Sequence, residues 1–408
     1  MLEKLANIFR IPELRNRILF TAGILFVYRL GSHIPTPGIN TQLLEQFFQQ
    51  QSGSALGLVD MFSGGNLRRL TVFALGIMPY ITASIIFQLL TVVYEPLARL
   101  QKEGDLGRKK ITQWTRYMTV LLGVVQSFAI ALTLVHSSGS VPYVTHPGPG
   151  FVLMTVLTLT TGTTFIMWLG EQITDRGIGE GMSLLIFAGI VVGLPHGVEE
   201  LVQKVRTQAW GAFTVPAMLI LIVLMAAVVA FIVFVERSER RIPVQYAKRI
   251  VGRRLMGGQS THLPLRVNSG GVMPVIFAAS ILSAPLLIAN ATVFGYSFRD
   301  SRFFGPIFEA LRSGEPWYEL LYILAIIFFA YFYISIIFRP DDIADNMRKY
   351  GGFIPGIRPG KRTADFVNDI LTRITLIGAI YLIIVSLIPQ ILISGIHLNH
   401  LWLVGPFF

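Results

Sequence analysis

Few residues in this 408-residue chain stand at spacings that could do chemistry. His397 and His400 (HLNH) have the separation of a helical metal-ligand pair, but no carboxylate or Cys stands near enough to complete a site. The other histidines (His33, His136, His146, His196 and His262) are scattered, and no HExxH occurs. Gly360-Lys361-Arg362 is not a phosphate-binding loop, because the leading Gly and the closing Ser/Thr are wrong. With no Cys in the chain there is no thiolate nucleophile, disulfide or Cys-ligated zinc. No Ser–Lys or paired-Asp arrangement suggests an intramembrane protease. Catalysis, a cofactor and a metal are therefore not expected, and any ATP-driven work must be supplied by another protein.

The ionisable residues are instead massed in two long basic segments. Residues 236–270 hold Arg237, Arg240, Arg241, Lys248, Arg249, Arg253, Arg254 and Arg266, and residues 339–365 hold Arg339, Arg348, Lys349, Arg358, Lys361 and Arg362. Such clusters suit an acidic protein face or ribosomal RNA phosphates. They also suit a plain topology signal for a membrane protein. Spacing alone leaves both readings standing.

The elements that carry these segments are apolar. Hydrophobic residues make up 53% of the chain and charged ones 14%, well below the quarter or so of a soluble domain. Val72–Tyr94, Phe151–Gly170, Ala212–Val235 and Gly271–Val293 contain no Asp, Glu, Lys, Arg or His, and 317–338 contains only Glu319. The 23 residues of 72–94 would run roughly 34 Å as a helix, enough for a hydrocarbon core of about 30 Å. Spans are expected near 18–34, 72–94, 117–135, 151–170, 182–195, 212–235, 271–293, 317–338 and 374–394. With residues 1–17 inside, the inner segments 1–17, 95–116, 171–181, 236–270 and 339–373 hold 26 of the 34 Lys and Arg. That bias sets the N-terminus inside. The first span lacks a cleavage site and is expected to stay uncleaved. After the ninth span, 393–408 turns back towards the membrane, and its apolar GPFF ending suggests that a last span is missing.

Three local patterns bear on function. Ala55–Arg69 breaks at Ser63-Gly64-Gly65, as a half-helix, hinge and full helix would, or as an ordinary outer loop would. Ile81 and Ile85 share one helix face, and so do Ile186 and Ile190; with Ile276 and Ile281 they would either line a dry constriction or pack between helices. Gly177, Gly181, Gly189 and Gly193 are read as small-residue packing sites. The lack of midplane carboxylates disfavours a proton- or sodium-coupled carrier, the alternative reading, although backbone carbonyls can hold sodium.

Four long motifs follow in order: LGIMPYITASII at 75–86, MWLGEQITDRGIGEGMSLLIFAGIVVGLP at 167–195, QSTHLPLRVNSGGVMPVIFA at 259–278 and GGFIPGIRPGKRT at 351–363. On these residues the chain resembles the SecY family, the large subunits of the bacterial protein-conducting channel. The resemblance implies an all-α polytopic bundle of two pseudo-symmetric halves, 18–200 and 201–408, around an hourglass pore. The family has ten helices, so the tenth and the cytosolic tail would be absent here.

The resemblance also implies roles for particular residues. Ile81, Ile85, Ile186, Ile190 and Ile281 would form the pore ring. The segment around 55–66, with Leu58, Met61, Phe62, Ser63, Gly64 and Gly65, would be the plug. Thr82, Ile86 and Gln88 on the second span, with Ala279 and Ser283 on the seventh, would flank a lateral gate open to lipid. Lys248, Arg249, Arg253, Arg254, Arg358, Lys361 and Arg362 would dock the SecA ATPase or the ribosome, Arg358 foremost. SecE and SecG would complete the complex in the bacterial inner membrane. Secretory and membrane-protein precursors would be its cargo, and no cofactor is implied.

Overall fold

The structure, a computed structural model, describes residues 11–50, 63–137, 144–207, 214–246, 249–251, 254–256, 260–289, 292–293, 296–297 and 316–394. The chain forms two compact units: residues 1–203 with 280–318, and residues 204–279 with 319–408. Among the described residues, six helices are long and apolar enough to cross a membrane, and a bent pair makes a seventh.

The first unit opens with α1 (Pro12–Gly31) and the short α2 (Thr41–Gln50). Next come α3 (Met78–Val93) and α4 (Glu95–Lys102), which meet at Tyr94 with a bend of 104°. The long α5 (Asp105–Ser137) and α6 (Pro149–Arg176) pack side by side. Between them Ser127 Oγ and Thr160 Oγ1 lie 3.2 Å apart, and the Arg116 guanidinium pairs with Glu171 at 2.6 Å. The apolar run expected at 182–195 appears as α7 (Gly181–Val191) followed by α8 (Gly193–Arg206). Pro12, Pro79, Pro149 and Pro340 each stand at the start of a helix, where a missing N–H costs nothing and φ is already helical.

The second unit contains α9 (Thr214–Glu236), which exposes most of its apolar surface, as a lipid-facing helix does. Three strands follow in the order β4 (Ser260–Arg266), β1 (Glu239–Tyr246) and β7 (Gly352–Phe353), all antiparallel. A separate hairpin joins β2 (Arg249–Val251) to β3 (Arg254–Met256). The later helices are α10 (Met273–Ala289), which passes into the first unit at residue 280, α11 (Pro316–Ile337), which returns to the second at residue 319, α12 (Pro340–Lys349) and α13 (Lys361–Ser394). The strand pair β5 (Thr292–Val293) and β6 (Tyr296–Ser297), after α10, belongs to the first unit. Among the described residues the architecture is a set of apolar helices with one three-stranded sheet and two short strand pairs.

The structure corrects two expectations. Residues 72–77 are not the first turns of a span but turns that lie buried. Hydropathy cannot tell a buried strap from a helix, and the helix waits for Pro79. Nor is Gly193 a packing site: a side chain there would meet nothing within 4 Å. Its partner Gly189 is one.

Candidate functional site

Two regions carry the residues singled out by sequence. The first lies in unit one, where residues 63–77 form a strap. Ser63 and Asn66 are buried, and Asn66 Nδ2 donates to the Ser63 carbonyl at 2.5 Å. The Leu67 N–H donates to Ser63 Oγ at 3.3 Å, and the Thr71 N–H to the Asn66 carbonyl at 3.0 Å. Outward, the Thr36 N–H reaches the Leu70 carbonyl and the Val72 N–H reaches the Ile34 carbonyl, both at 2.9 Å, stitching the strap to the segment after α1. Leu67, Leu70, Ala74 and Leu75 then close a core with Leu44 and Leu159. A buried Leu70 with φ +40 shows how firmly this packing holds the turn, because that conformation is unfavourable for a residue with a Cβ.

The strap is seated by glycines. Gly64 has φ +71, and a side chain on it would lie 2.9 Å from the backbone of Gly189. The contact falls on α7, the helix of Ile186 and Ile190, next to the latter. A side chain at Gly162 would fall on the Val72 carbonyl, and one at Gly31 on the Phe73 ring. The Ser63-Gly64-Gly65 break is therefore not a free hinge in this structure. It is the fixed foot of the strap. Leu58, Met61 and Phe62 lie outside the described residues, as do His397 and His400.

Of the isoleucines, Ile81 and Ile85 are buried on α3 and Ile186 is half-buried. Ile190 and Ile281 are each 42% exposed. On α3, Thr82 and Ile86 share a face, and Thr82 Oγ1 donates to the Met78 carbonyl at 3.0 Å. Gln88 does not join them. At ~100° per residue it lies on the side of Ile81 and Ile85, its amide donating to Ser84 Oγ at 3.1 Å. Ala279 is half-buried on α10, and Ser283 belongs to the same helix.

The second region is the pair of basic segments. The structure folds them into one body. Ile242 and Val244 of β1 and Leu265 of β4 share a core with Met347, Ile354, Val367, Ile370 and Leu371 from the 339–373 segment and with Ile374 just beyond it. Alternation makes this possible: β1 buries Ile242 and Val244 and leaves the residues around them exposed. The cations stay outside. Arg240, Arg266, Arg348, Arg358, Lys361 and Arg362 are exposed, and Arg241 pairs with Glu239 at 2.7 Å.

Arg358 sits on the turn between β7 and α13, its carbonyl accepting from Thr363 Oγ1 at 2.9 Å. Lys361 and Arg362 occupy the first turn of α13, where the helix dipole disfavours cations. Arg249 and Arg254 lie on the β2–β3 hairpin, whereas Lys248 and Arg253 lie outside the described residues.

Sequence reading passed over two features. At the foot of the body, Glu236 ends α9 and accepts from Asn268 Nδ2 at 2.7 Å and from the Tyr381 hydroxyl at 3.3 Å. In unit one, the buried Tyr28 of α1 stacks on Phe73, with ring centroids 5.7 Å apart and planes 6° apart. Its backbone carbonyl accepts from Ser32 Oγ at 3.0 Å, and its hydroxyl lies beside Gly189 of α7. An isolated Tyr or Asn near a span end gives no signal that it belongs to a joint.

Residues 71–405 match the family model described as SecY. The chain is 49% identical over 378 residues to the protein translocase subunit SecY of Escherichia coli K12, covering 93% of this chain and 84% of that protein. Among solved structures it is similar to one reported for a SecY whose plug domain stabilises the closed translocation channel and maintains a membrane seal, with a TM-score of 0.59, 18% identity and coverage of 95% and 90%. It is also similar to Sec61 in the canine ribosome–channel complex from the endoplasmic reticulum, with a TM-score of 0.55, 16% identity and coverage of 93% and 89%. The structures share the fold. With the family model running from within the strap through the uncharged helices and the basic body, this multi-pass membrane protein belongs to the SecY family.

Proposed function

We propose that this chain is the conducting subunit of a protein translocase. It passes unfolded polypeptide across the bacterial inner membrane and releases transmembrane segments sideways into lipid. The observation that carries this reading is the strap foot: Gly64 lies on Gly189, beside Ile190 of α7. A plug whose base rests on a helix of the apolar ring closes a pore directly. Ile81, Ile85, Ile186, Ile190 and Ile281 form that ring in this reading, with 18–200 and 201–408 as the two clasping halves. Branched apolar side chains yield around a moving peptide yet give an ion no replacement for its water. The exposure of Ile190 and Ile281 agrees with residues that face an empty funnel.

The plug comprises about residues 55–66. The lateral gate lies between the helices of Thr82 and Ile86 and of Ala279 and Ser283. A segment leaving through it gains up to about 0.6 kcal/mol for each central Leu or Ile and loses about 3 for each Lys or Asp, so sorting is a partition equilibrium. The chain makes and breaks no bond. Drive comes from SecA or the ribosome docked on the basic body at Arg358, Lys361, Arg362 and the Lys248–Arg254 run. SecE and SecG complete the assembly, and the N-terminus is cytosolic.

The Cys-free sequence provides the test. Ile85→Cys, reconstituted with SecE and SecG, is crosslinked to a secretory polypeptide carrying one Cys and stalled during SecA-driven transport. Crosslinking at position 85, with little at a lipid-facing control such as Leu219→Cys, is expected. No crosslink despite confirmed stalling would overturn the assignment of the pore.

A further inference from the structure

We propose that Glu236 is a positioning residue that clamps the pivot of α10, so that load on the basic body reaches this gate helix. The inference rests on the channel reading above, and every contact in it lies in the second unit. The chain leaves α9 along β1 and returns along β4, with Glu239 opposite Arg266, so the root of the body lies next to that pair. There the Val267 N–H donates to the Ser238 carbonyl at 3.0 Å, and Ser238 Oγ donates to the Phe234 carbonyl at 2.7 Å. One carboxylate oxygen gathers the parts. Glu236 Oε1 accepts from Asn268 Nδ2, just past β4, and from the Tyr381 hydroxyl of α13, and both donor residues are buried. Tyr381 also packs its ring on Phe231 of α9, with centroids 5.8 Å apart. The backbone of α13 comes as close: a side chain at Gly378 would lie 2.7 Å from the Val267 carbonyl oxygen.

Helix α13 joins this clamp to the body. Its Val367, Ile370, Leu371 and Ile374 belong to the core of the body, and Gly378 and Tyr381 follow one and two turns later. A load on the body therefore reaches Asn268 by two routes, β4 and α13. Just beyond Asn268 the constraint ends. Gly270 and Gly271 make the turn into α10; Gly271 has φ +58, and a side chain there would meet nothing within 4 Å. A small cleft lined by Ser269, Pro274, Ala330, Ile334 and Thr375 lies beside the turn and leaves it room. A fixed point followed by two glycines is the construction of a hinge, in which a few backbone dihedrals absorb the rotation. A carboxylate suits the fixed side, because a charge-assisted hydrogen bond is roughly twice as strong as a neutral one. With the clamp intact, displacing the body carries the start of α10 with it. With the clamp broken, α10 moves without the body.

The test exchanges donor and acceptor. Asn268→Asp sets a second carboxylate against Glu236. Adding Glu236→Gln restores the bond in reverse, the new amide donating to position 268 while its oxygen still accepts from Tyr381. In vesicles containing SecE and SecG, spin labels at Ile281→Cys and Ile380→Cys, both exposed positions, report how α10 moves against α13. SecA-driven export and SecA affinity are measured on the unlabelled proteins. Wild type is expected to shift this distance when SecA docks. Asn268→Asp should lose the shift and slow export about tenfold at unchanged affinity, the scale of one hydrogen bond to a charged group, and the double variant should regain both. Tyr381→Phe removes only the longer bond and keeps the ring on Phe231, so it should slow export about threefold. If Asn268→Asp lowers the unfolding midpoint but leaves the shift and the export rate intact, the contact is merely structural and the proposal is overturned. A double variant that fails to regain the shift overturns it as well. If wild-type vesicles export and the clamp variants match them, the clamp is wrong and the channel stands. If wild-type vesicles export nothing, the channel reading falls and the clamp with it.

Discussion

The strap in unit one and the basic body in unit two are held together by different physics. Besides its small leucine core, the strap is seated backbone against backbone: Gly64 on Gly189, and Gly162 under the Val72 carbonyl. Beside lipid, burying a leucine gains little, because the surroundings are as apolar as the core; close approach of small residues supplies the contact. The basic body instead has an interdigitated side-chain core of Ile, Leu, Val and Met beneath a charged exterior. That is the construction of a protein in water, where removing apolar surface from solvent drives folding. One chain thus uses shape where it meets lipid and hydrophobicity where it meets solvent.

The contrast can be broken most severely at Gly162. Gly162→Leu would drive a side chain into a carbonyl that cannot yield, and the destabilisation should reach about 3 kcal/mol or more. A lowered thermal midpoint in detergent should accompany loss of the resting seal, and an unchanged midpoint would show that the strap is not seated as described. Leu265→Ala, in the core of the body, should cost roughly 2–5 kcal/mol but locally. Trypsin should then cut faster within 236–270 while the ion leak stays at the wild-type level. A rise in leak would mean that the two regions are not built independently.

The smallest change in stability is expected at the exposed Arg358, where Arg358→Glu should alter it by no more than ~0.5 kcal/mol. SecA-driven export should nevertheless fall sharply, with normal membrane insertion and assembly. Export at the normal rate would remove this residue from the docking surface.

Much of the helical plan was legible because uncharged runs such as 212–235 have no other explanation than a span or a buried core. The limits of that signal show at 72–77. The run stays apolar through a strap that never becomes helix, because burial in protein and burial in lipid demand the same side chains. Gly76 and Pro79 marked the boundary, the first with φ +56 and the second opening α3. The sheet was legible in principle from the alternation in RRIPVQY, but the density of arginine drew attention to charge instead. That β1 shares its core with residues a hundred positions away was not readable, since nothing local pairs Ile242 with Val367. The seat of Gly64 on Gly189 was hidden for a similar reason. Hydrogen atoms make no pattern.

The division of the chain has a consequence in time. Unit one does not end at residue 203 but takes up residues 280–318, so it cannot be completed in the order in which it is made. Translation at about 5–20 residues per second places several seconds between those two points. Through that interval the early helices must persist with one part of their unit unwritten, while the first pieces of the other unit are already emerging. Assembly is therefore interleaved, and a pause in synthesis near α9 would prolong the incomplete state of both units.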